Sequence, residues 1–231
     1  MTTVAGLRIA HLIESDGPGG AERMVASLAA ALQAGGAENV VFVPERGEGW
    51  LARELRGSGV RTDTFRLDRP FSPAFAARLA DTLRHHRIDV AHSHEFTMAV
   101  YGAWASRRTG VPHLFTLHGS RYYAGRWRRR LALRAAHALS AATVAVSEAL
   151  ADQVGRDLWI RRARITTIPN GARAAANGTA SLRAELGLSP EDRLAVAVGN
   201  LYPVKGHAHL LDALRLLAER CPSLHVAIAG R

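Results

Sequence analysis

The chain has 231 residues and a hydrophobic fraction of 48%, enough for one large or two small domains with a buried core. Thirty lysines and arginines against 20 aspartates and glutamates give a formal net charge of +10, which favours anionic partners. The single cysteine excludes an intramolecular disulfide framework, and no apolar run approaches the ~20 residues that span a bilayer. We therefore expect a cytoplasmic protein that at most lies peripherally on the inner face of the cell membrane.

Strand-like and helix-like segments alternate along the first 171 residues. We predict strands at residues 7–13, 39–43, 60–65, 88–92, 113–117, 143–146 and 164–168. We predict helices at residues 21–32, 50–56, 73–86, 96–108, 126–139 and 147–154. This alternation predicts an α/β fold with a doubly wound, Rossmann-like parallel sheet over residues 1–171.

A glycine-rich turn, residues 16–20, separates the first strand from the first helix. Glycines let a ligand approach the backbone, and the N-terminus of a helix suits a phosphate. The usual dinucleotide fingerprint is incomplete, because Glu22 stands where its third glycine is expected, and no P-loop follows. An anion site and a turn without a ligand both remain open, and the missing glycine argues against a dinucleotide-dependent oxidoreductase.

Two further turns follow predicted strand ends, at residues 116–120 and 168–171. Open α/β sheets bind ligands at this edge. His118, followed by a glycine, could donate a hydrogen bond to a sugar hydroxyl or polarise a reacting oxygen. The alternative is a loop histidine that is hydrogen-bonded to backbone.

His92 and His94 are two residues apart at a strand end, so both side chains can face one side and bind a metal. Spacing identifies no third ligand, and we predict no metal site.

A basic segment follows, within a stretch between Glu95 and Glu148 that contains no acidic residue. On a helix, Trp127, Leu131 and Leu139 share one face and arginines share another. This pattern is typical of a helix on an anionic bilayer surface, and the residues that would contact the membrane are Arg126, Trp127, Arg128, Arg129, Arg130 and Arg134. The alternative is a domain helix that packs Leu131 and Leu139 onto the sheet. No helix-turn-helix, zinc-finger or RNP pattern indicates nucleic acid.

The last part of the chain changes character. Residues 172–189 are small and polar, and we predict a linker. Residues 190–231 contain a predicted strand at 194–198, a helix at 205–220 and a strand at 224–229. One βαβ unit of roughly 40 residues is too small to bury a core alone. We expect the start of a second, incomplete domain.

Six short motifs occur in a particular order. They are Gly-Gly-Ala-Glu at 19–22, Asp-Val-Ala-His-Ser-His at 89–94, Thr-Leu-His-Gly at 116–119, Val-Ser-Glu at 146–148, Ile-Pro-Asn-Gly at 168–171, and Val-Gly-Asn-Leu-Tyr-Pro-Val-Lys-Gly at 198–206. Their order and spacing resemble the retaining glycosyltransferases of family 4, which have the GT-B fold. The resemblance covers nearly the whole chain.

The resemblance implies transfer of a sugar, with retention, from a UDP- or GDP-type nucleotide-sugar to an acceptor held mainly by residues 1–171. It implies no cofactor and no obligatory metal. It places His118 at the transferred sugar as the catalytic residue, and beside the donor diphosphate it places Gly19, Gly20, Asn200 and Lys205. Asn200 stands where an arginine is usual, which removes one charge. On the acceptor or sugar side we expect Glu22, His94, Gly119, Ser147 and Asn170.

The family's Glu-x7-Glu element, which holds the donor, is absent from residues 190–231. We therefore expect little or no turnover from this chain alone. We expect a role in cell-envelope polysaccharide or glycolipid synthesis, with a lipid-linked, phosphorylated or saccharide acceptor. The alternative is an acceptor-binding, membrane-associating subunit of a split transferase.

Overall fold

The computed structural model describes residues 4–47, 49–69, 71–171 and 181–230. The chain divides into two units, Met1–Ala172 and Arg173–Arg231.

Parallel strands and the helices between them build the larger unit. Its strands are β1 Arg8–Leu12, β2 Glu38–Pro44, β3 Arg61–Phe65, β4 Val90–His94, β5 His113–Leu117, β6 Ala142–Ala145 and β7 Thr166–Thr167. Its helices are α1 Gly20–Ala34, α2 Trp50–Arg56, α3 Pro73–His85, α4 Glu95–Thr109, α5 Trp127–Leu139 and α6 Glu148–Leu158. The predicted alternation of strands and helices is confirmed.

The strand order is β3-β2-β1-β4-β5-β6-β7, and every neighbouring pair is parallel. The predicted doubly wound, Rossmann-like sheet is thereby confirmed. The order reverses between β1 and β4, where the connections leave to opposite sides. A crevice therefore opens at the carboxyl ends of these two strands, and such crevices hold the ligands of α/β sheets.

Side chains alternate across the sheet, so each strand supplies both faces. Ile13 of the segment after β1 and Val41 of β2 pack with α1 and α2. Leu12 and Phe42, the neighbours of these two residues, pack instead with α3 and α4. Farther along the sheet, the second face continues with residues of β5 beneath α5 and α6. Both faces of the central strands are thus buried, as a parallel sheet requires.

Most predicted strands agree with the structure to within one residue at each end, and two differ by two residues. β4 continues to His94 instead of stopping at His92, because His94 pairs in register with Thr116 of β5. The strand predicted at 164–168 is reduced to Thr166–Thr167, after a 3-10 turn at Arg162–Arg164. The Arg162 guanidinium donates to the Ile165 carbonyl at 2.7 Å, which occupies a group that a longer strand would offer to a neighbour.

The smaller unit contains α7 Leu182–Glu185, β8 Arg193–Val198, α8 His207–Leu217 and β9 Leu224–Ala229. β8 and β9 are parallel neighbours. α7 lies within the segment that we predicted to be a linker, and residues 172–180 of that segment are outside the described part. None of the described residues of this unit is buried, in line with the small size of a single βαβ motif.

Helix α5 packs by a different face than the one we considered. Leu133 and Ala136 are buried against β5, β6 and α6. Trp127, Leu131 and Leu139 are exposed by 65%, 47% and 43%. The expectation that Leu131 and Leu139 pack onto the sheet is wrong, because the neighbouring elements bury the leucine–alanine pair three residues apart.

This assignment predicts unequal costs for two leucine truncations on one helix. Leu133→Ala should lower the free energy of unfolding by about 2–5 kcal/mol, because it leaves a cavity in the core. Leu131→Ala should change it by less than about 1 kcal/mol, because that side chain is half exposed. Urea unfolding of both variants measures the difference. Equal costs would contradict the packing described for α5.

Candidate active site

The glycine-rich turn joins β1 to α1 at the edge where the strand order reverses. Gly19 is the N-cap of α1, and no side chain caps this helix. Asp16 is the first residue of this turn, and its carboxylate accepts a hydrogen bond from the Gly49 N–H at 2.6 Å. The Asp16 carbonyl also accepts from the Leu51 N–H at 3.0 Å. The start of α2 therefore fixes the approach to the α1 N-terminus.

The two glycines before and at the start of α1 differ in their surroundings. A Cβ on Gly19 would overlap the carboxylate of Glu22, whose side chain is buried against the turn. A Cβ on Gly20 would meet no atom within 4 Å. Glu22, which we expected on the acceptor or sugar side, thus lies directly beside Gly19. The space beside Gly20 is open to a ligand.

His118 lies in the turn after β5, near the first residue of α4. Burial lowers its pKa to about 4, so the ring is neutral at neutral pH. Its Nε2 is 3.4 Å from Nδ1 of His94. Its Nδ1 is buried and has no hydrogen-bond partner among the described residues. The structure therefore brings together His118 and His94, two of the residues predicted for the site.

Glu95, the first residue of α4, has two unusual properties. Its φ of 67° lies in the left-handed region, which side chains other than glycine rarely adopt. Burial, and then the charges of Glu14 and Glu22, raise the pKa of Glu95 to about 7, although the His118 backbone N–H donates to its carboxylate. Glu95 thus combines a strained backbone with a carboxyl group whose pKa is near neutrality, and it lies beside a candidate catalytic histidine. It is itself a candidate functional residue.

A cluster of buried histidines surrounds His94. His11 Nδ1 is 3.4 Å from His94 Nε2, and His92 Nε2 is 2.8 Å from Thr116 Oγ1. Burial lowers the pKa of His11 to about 4 and those of His92 and His94 well below their usual value. The cluster is therefore uncharged at neutral pH.

His11, His92 and His94 each place one ring nitrogen within 4.8 Å of the others. Neutral imidazoles are a donor set that Zn²⁺ accepts. The sequence offered only two of these three rings, because His11 is 83 residues before His94. Our expectation of no metal site stays a prediction.

Three further predicted residues lie at the same edge of the sheet. Gly119 follows His118, and a Cβ there would meet no atom within 4 Å. Ser147 caps α6, its Oγ accepting from the Leu150 N–H at 3.2 Å. Asn170 is exposed after β7. The role of Ser147 in the structure is thus to begin a helix.

The predicted diphosphate ligands Asn200 and Lys205 belong to the smaller unit, between β8 and α8. Both residues are exposed. The Asn200 carbonyl accepts from the His207 ring at 3.2 Å, and a Cβ on Gly199 would be in van der Waals contact with the Lys205 stem. The Asn200 side chain and the Lys205 ammonium therefore face solvent within their own unit.

Two of the predicted membrane arginines of α5 contact α6 and the residue that follows it. Arg130 forms an ion pair with Asp157 at 3.3 Å, and Arg134 donates at 2.6 Å to the carbonyls of Leu158 and Trp159. These two arginines therefore attach α5 to α6. Exposed side chains at the start of the helix are Arg126, Trp127 and Arg128.

An apolar groove of about 410 Å³ lies between α3, α4 and α5. Its walls include Phe96, Val100, Trp104 and Ala135. Two guanidinium groups stand over its aromatic rings: Arg129 is 5.5 Å from the Phe96 ring centroid, and Arg108 is 5.1 Å from that of Trp104. The sequence did not reveal this groove.

The model of the family described as Glycosyltransferase Family 4 matches residues 18–175. The chain belongs to this family. "Uncharacterized glycosyltransferase YqgM" of Bacillus subtilis (strain 168) is 26% identical over 155 residues, which are 62% of this chain and 40% of that protein. The resemblance that the six motifs carry is thus confirmed at the level of the family.

Solved structures show the fold that this family 4 chain shares. Anabaena Alr3699/HepE in complex with UDP has a TM-score of 0.79 and 20% identity, covering 96% of this chain and 60% of that one. UDP-GlcNAc 2-epimerase from Neisseria meningitidis, bound to UDP-GlcNAc, has a TM-score of 0.60 and 13% identity, covering 97% of this chain and 66% of that one. The chain therefore spans 40% of its curated relative and about three fifths of the HepE chain.

Three residues at this site escaped prediction from the sequence. Glu95 was visible only as the residue after His94, and nothing in a sequence marks a positive φ on a glutamate. His11 and Asn39 lie within segments that were predicted only as strands. Their meeting depends on the pairing of β1 with both β2 and β4.

Glu95→Gln should change the pH dependence of stability in a defined direction. The folded-state pKa of Glu95 is raised, so the folded chain binds the carboxyl proton more tightly than the unfolded chain. The contribution of Glu95 to the free energy of unfolding is therefore lost as pH rises through about 7. The variant should therefore be more stable than the wild type at pH 8, by at most about 3 kcal/mol, and close to it at pH 4.5.

Urea unfolding at several pH values checks this, with the exposed Glu54→Gln as the control. The buried histidines act in the opposite sense in both proteins, because their lowered pKa values remove stability as pH falls from 6.5 towards 4. The difference between the two proteins isolates Glu95. A difference that does not vary with pH would contradict the assignment.

Proposed function

We propose that this chain carries the acceptor side and the start of the donor side of a glycosyltransferase that moves a sugar from a UDP-sugar to a lipid-linked, phosphate-bearing acceptor. The observation that best supports this proposal is the crevice at the carboxyl ends of β1, β4 and β5 in a chain of family 4. There an uncapped helix N-terminus, an open glycine and a neutral histidine converge on one edge of the sheet.

The donor diphosphate belongs at the N-terminus of α1 in this proposal. Backbone N–H groups and the helix dipole favour a negative charge there, and Gly20 leaves space for it. As the bond between the anomeric carbon and the diphosphate breaks, the diphosphate gains charge, so these groups stabilise the transition state more than the ground state. Within the smaller unit, we propose that Lys205 offers a donor diphosphate a positive charge and that Asn200 offers only a neutral hydrogen-bonding group.

We infer that transfer proceeds with retention. The acceptor oxygen forms its bond to the anomeric carbon on the face from which UDP leaves, and the acceptor hydroxyl proton passes to the departing diphosphate. No cofactor is part of this proposal. UDP is preferred over GDP because Alr3699/HepE structures are described with UDP and with UDP-glucose.

The acceptor side of the proposal rests on the groove beside α4. An apolar groove with guanidinium groups over two of its aromatic wall residues is complementary to an amphiphile with a hydrocarbon chain and an anionic head. The groove begins at Phe96, next to Glu95 and thus to the crevice. We propose that it takes the chain of a lipid-linked acceptor.

Exposed residues at the start of α5 support a position on an anionic membrane surface. Trp127 is 65% exposed, and the Arg128 guanidinium is 5.3 Å from its ring centroid. An aromatic side chain beside solvated arginines suits the headgroup region of an anionic bilayer. No helix in the described ranges is both long and apolar enough to cross a membrane. A peripheral role in cell-envelope glycolipid synthesis fits these features.

Gly20→Ala should weaken donor binding without weakening the fold. The added methyl group meets no protein atom within 4 Å, and alanine favours a helix, so the melting temperature should stay equal or rise. The same methyl group would occupy the space proposed for the diphosphate. Line broadening of the UDP-glucose ³¹P resonances on addition of the chain measures binding.

The control for this experiment is Gly57→Ala, at the end of α2. Its Cβ would make an ordinary contact at 3.6 Å with the Glu54 carbonyl. We expect wild-type broadening with Gly57→Ala and at least a several-fold smaller effect with Gly20→Ala. Equal broadening with both variants would remove the α1 N-terminus from the proposed donor site.

Ala135→Phe should block the acceptor groove. Ala135 is an exposed wall residue of the groove, whereas Ala138 is exposed on the same helix but outside its lining. A short-chain prenyl phosphate should quench or shift Trp104 fluorescence in the wild type and in Ala138→Phe, with at least tenfold weaker binding to Ala135→Phe. The corresponding prenyl alcohol should bind more weakly, because it lacks the phosphate. Binding that ignores Ala135→Phe would contradict the groove assignment.

A further inference from the structure

Asn39 is held in one orientation by groups whose hydrogen-bonding roles are fixed. Its backbone N–H donates to Gln33 Oε1 at 3.2 Å, which identifies that atom as the amide oxygen. The Asn39 side chain donates through Nδ2 to the same oxygen at 3.2 Å and to the Ala37 carbonyl at 3.3 Å. Both partners only accept, so the side-chain oxygen Oδ1 of Asn39 is the atom that meets His11.

This orientation sets the protonation of two rings in turn. His11 Nε2 is 3.2 Å from Asn39 Oδ1, and an amide oxygen only accepts, so His11 carries its proton on Nε2. His11 Nδ1 is then a lone pair, 3.4 Å from His94 Nε2. His94 therefore donates from Nε2 and accepts at Nδ1.

The protonated nitrogen of His118 is assigned in the same way. His94 Nδ1 is 3.4 Å from His118 Nε2, so His118 donates from Nε2 and carries no proton on Nδ1. Each ring has a single proton to place, since burial lowers the pKa values of all three and keeps them neutral. This series of hydrogen bonds ends at His118 Nδ1, a buried atom without a hydrogen-bond partner in the described part of the structure.

We propose that Asn39, His11 and His94 are positioning residues that hold His118 in its Nε2-protonated tautomer and so present Nδ1 as an acceptor to a donating hydroxyl of the bound sugar. The tautomer follows from this chain alone, and only the identity of the ligand rests on the proposed function. His118 thus accepts a hydrogen bond at this atom, whereas the sequence suggested that it donates one. A hydroxyl replaced by fluorine or an ether would leave Nδ1 unpaired.

The tautomer can be read from ¹⁵N–¹H correlation spectra of the histidine rings, which distinguish protonation at Nδ1 from protonation at Nε2. The sample is the full 231-residue chain with EDTA, so that adventitious zinc does not occupy the cluster. His118→Gln assigns the His118 signals. Asn39→Leu removes the acceptor for His11, and Asn39→Asp keeps an acceptor oxygen. His92→Gln is the matched control. It changes another buried ring of the cluster, but one that lies outside the series of hydrogen bonds from Asn39 to His118.

We expect Nε2 protonation of His11, His94 and His118 in the wild type, and of His118 in Asn39→Asp and His92→Gln. Asn39→Leu should release His118 into a mixture of tautomers. Protonation of His118 at Nδ1 in the wild type, or an unchanged tautomer in a folded Asn39→Leu variant, overturns the proposal. If Asn39→Leu does not fold, the wild-type spectrum still decides, because all three rings must be protonated at Nε2.

Addition of UDP-glucose, with UDP as the control, separates this proposal from the proposed function. The His118 Nδ1 resonance should shift with UDP-glucose and stay in place with UDP, because only the former carries sugar hydroxyls. Saturation-transfer signals from the ligand report binding independently. Bound UDP-glucose without a shift overturns the acceptor role, whereas UDP-glucose that does not bind overturns the proposed function and leaves the tautomer intact.

Discussion

The parallel pairing of β1 with β4 is the constraint on which the site depends. It places His11 opposite His92 in the ladder, and the strand order reverses at this pair. Side chains two residues apart share a face, so His94 joins the same face one step nearer the crevice. Uncharged imidazoles occupy this buried face of the sheet. They hydrogen-bond to one another, to Asn39 and to Thr116. Buried polar rings of this kind are stable only when they are paired in this way.

Much of the larger unit was predictable because its determinants are local. Alternating apolar strands and amphipathic helices are written in residues that are near one another in sequence, and the glycine turn and His118 follow strand ends directly. The face of α5 was not predictable in this way. Trp127, Leu131 and Leu139 form as regular a stripe as Leu133 and Ala136, and only the neighbouring strands and helices decide which of the two sets is buried.

The same distinction explains what was missed at the site. His11 and Asn39 meet because β1 and β2 are paired, and a register between strands 28 residues apart is not written in either strand alone. Glu95 was missed for another reason. Its backbone strain is a property of the junction, where an extended strand must become a helix at the next residue, and no residue type signals it. Charge was also misleading, since two of the predicted membrane arginines attach α5 to α6.

The junction between β4 and α4 joins the two sides of the proposed chemistry. His94, Glu95 and Phe96 are consecutive, yet they lie in the histidine cluster, beside the His118 backbone and in the wall of the groove. The left-handed φ of Glu95 makes this possible, because it turns the chain between His94 and Phe96 within one residue. One strained residue therefore connects the wall of the groove to His94 along the backbone. Strain of this kind persists only where surrounding contacts hold it, and here the His118 backbone supplies one of them. The proposed acceptor side and the proposed sugar side of the crevice consequently share one short segment of backbone, from His94 to Phe96.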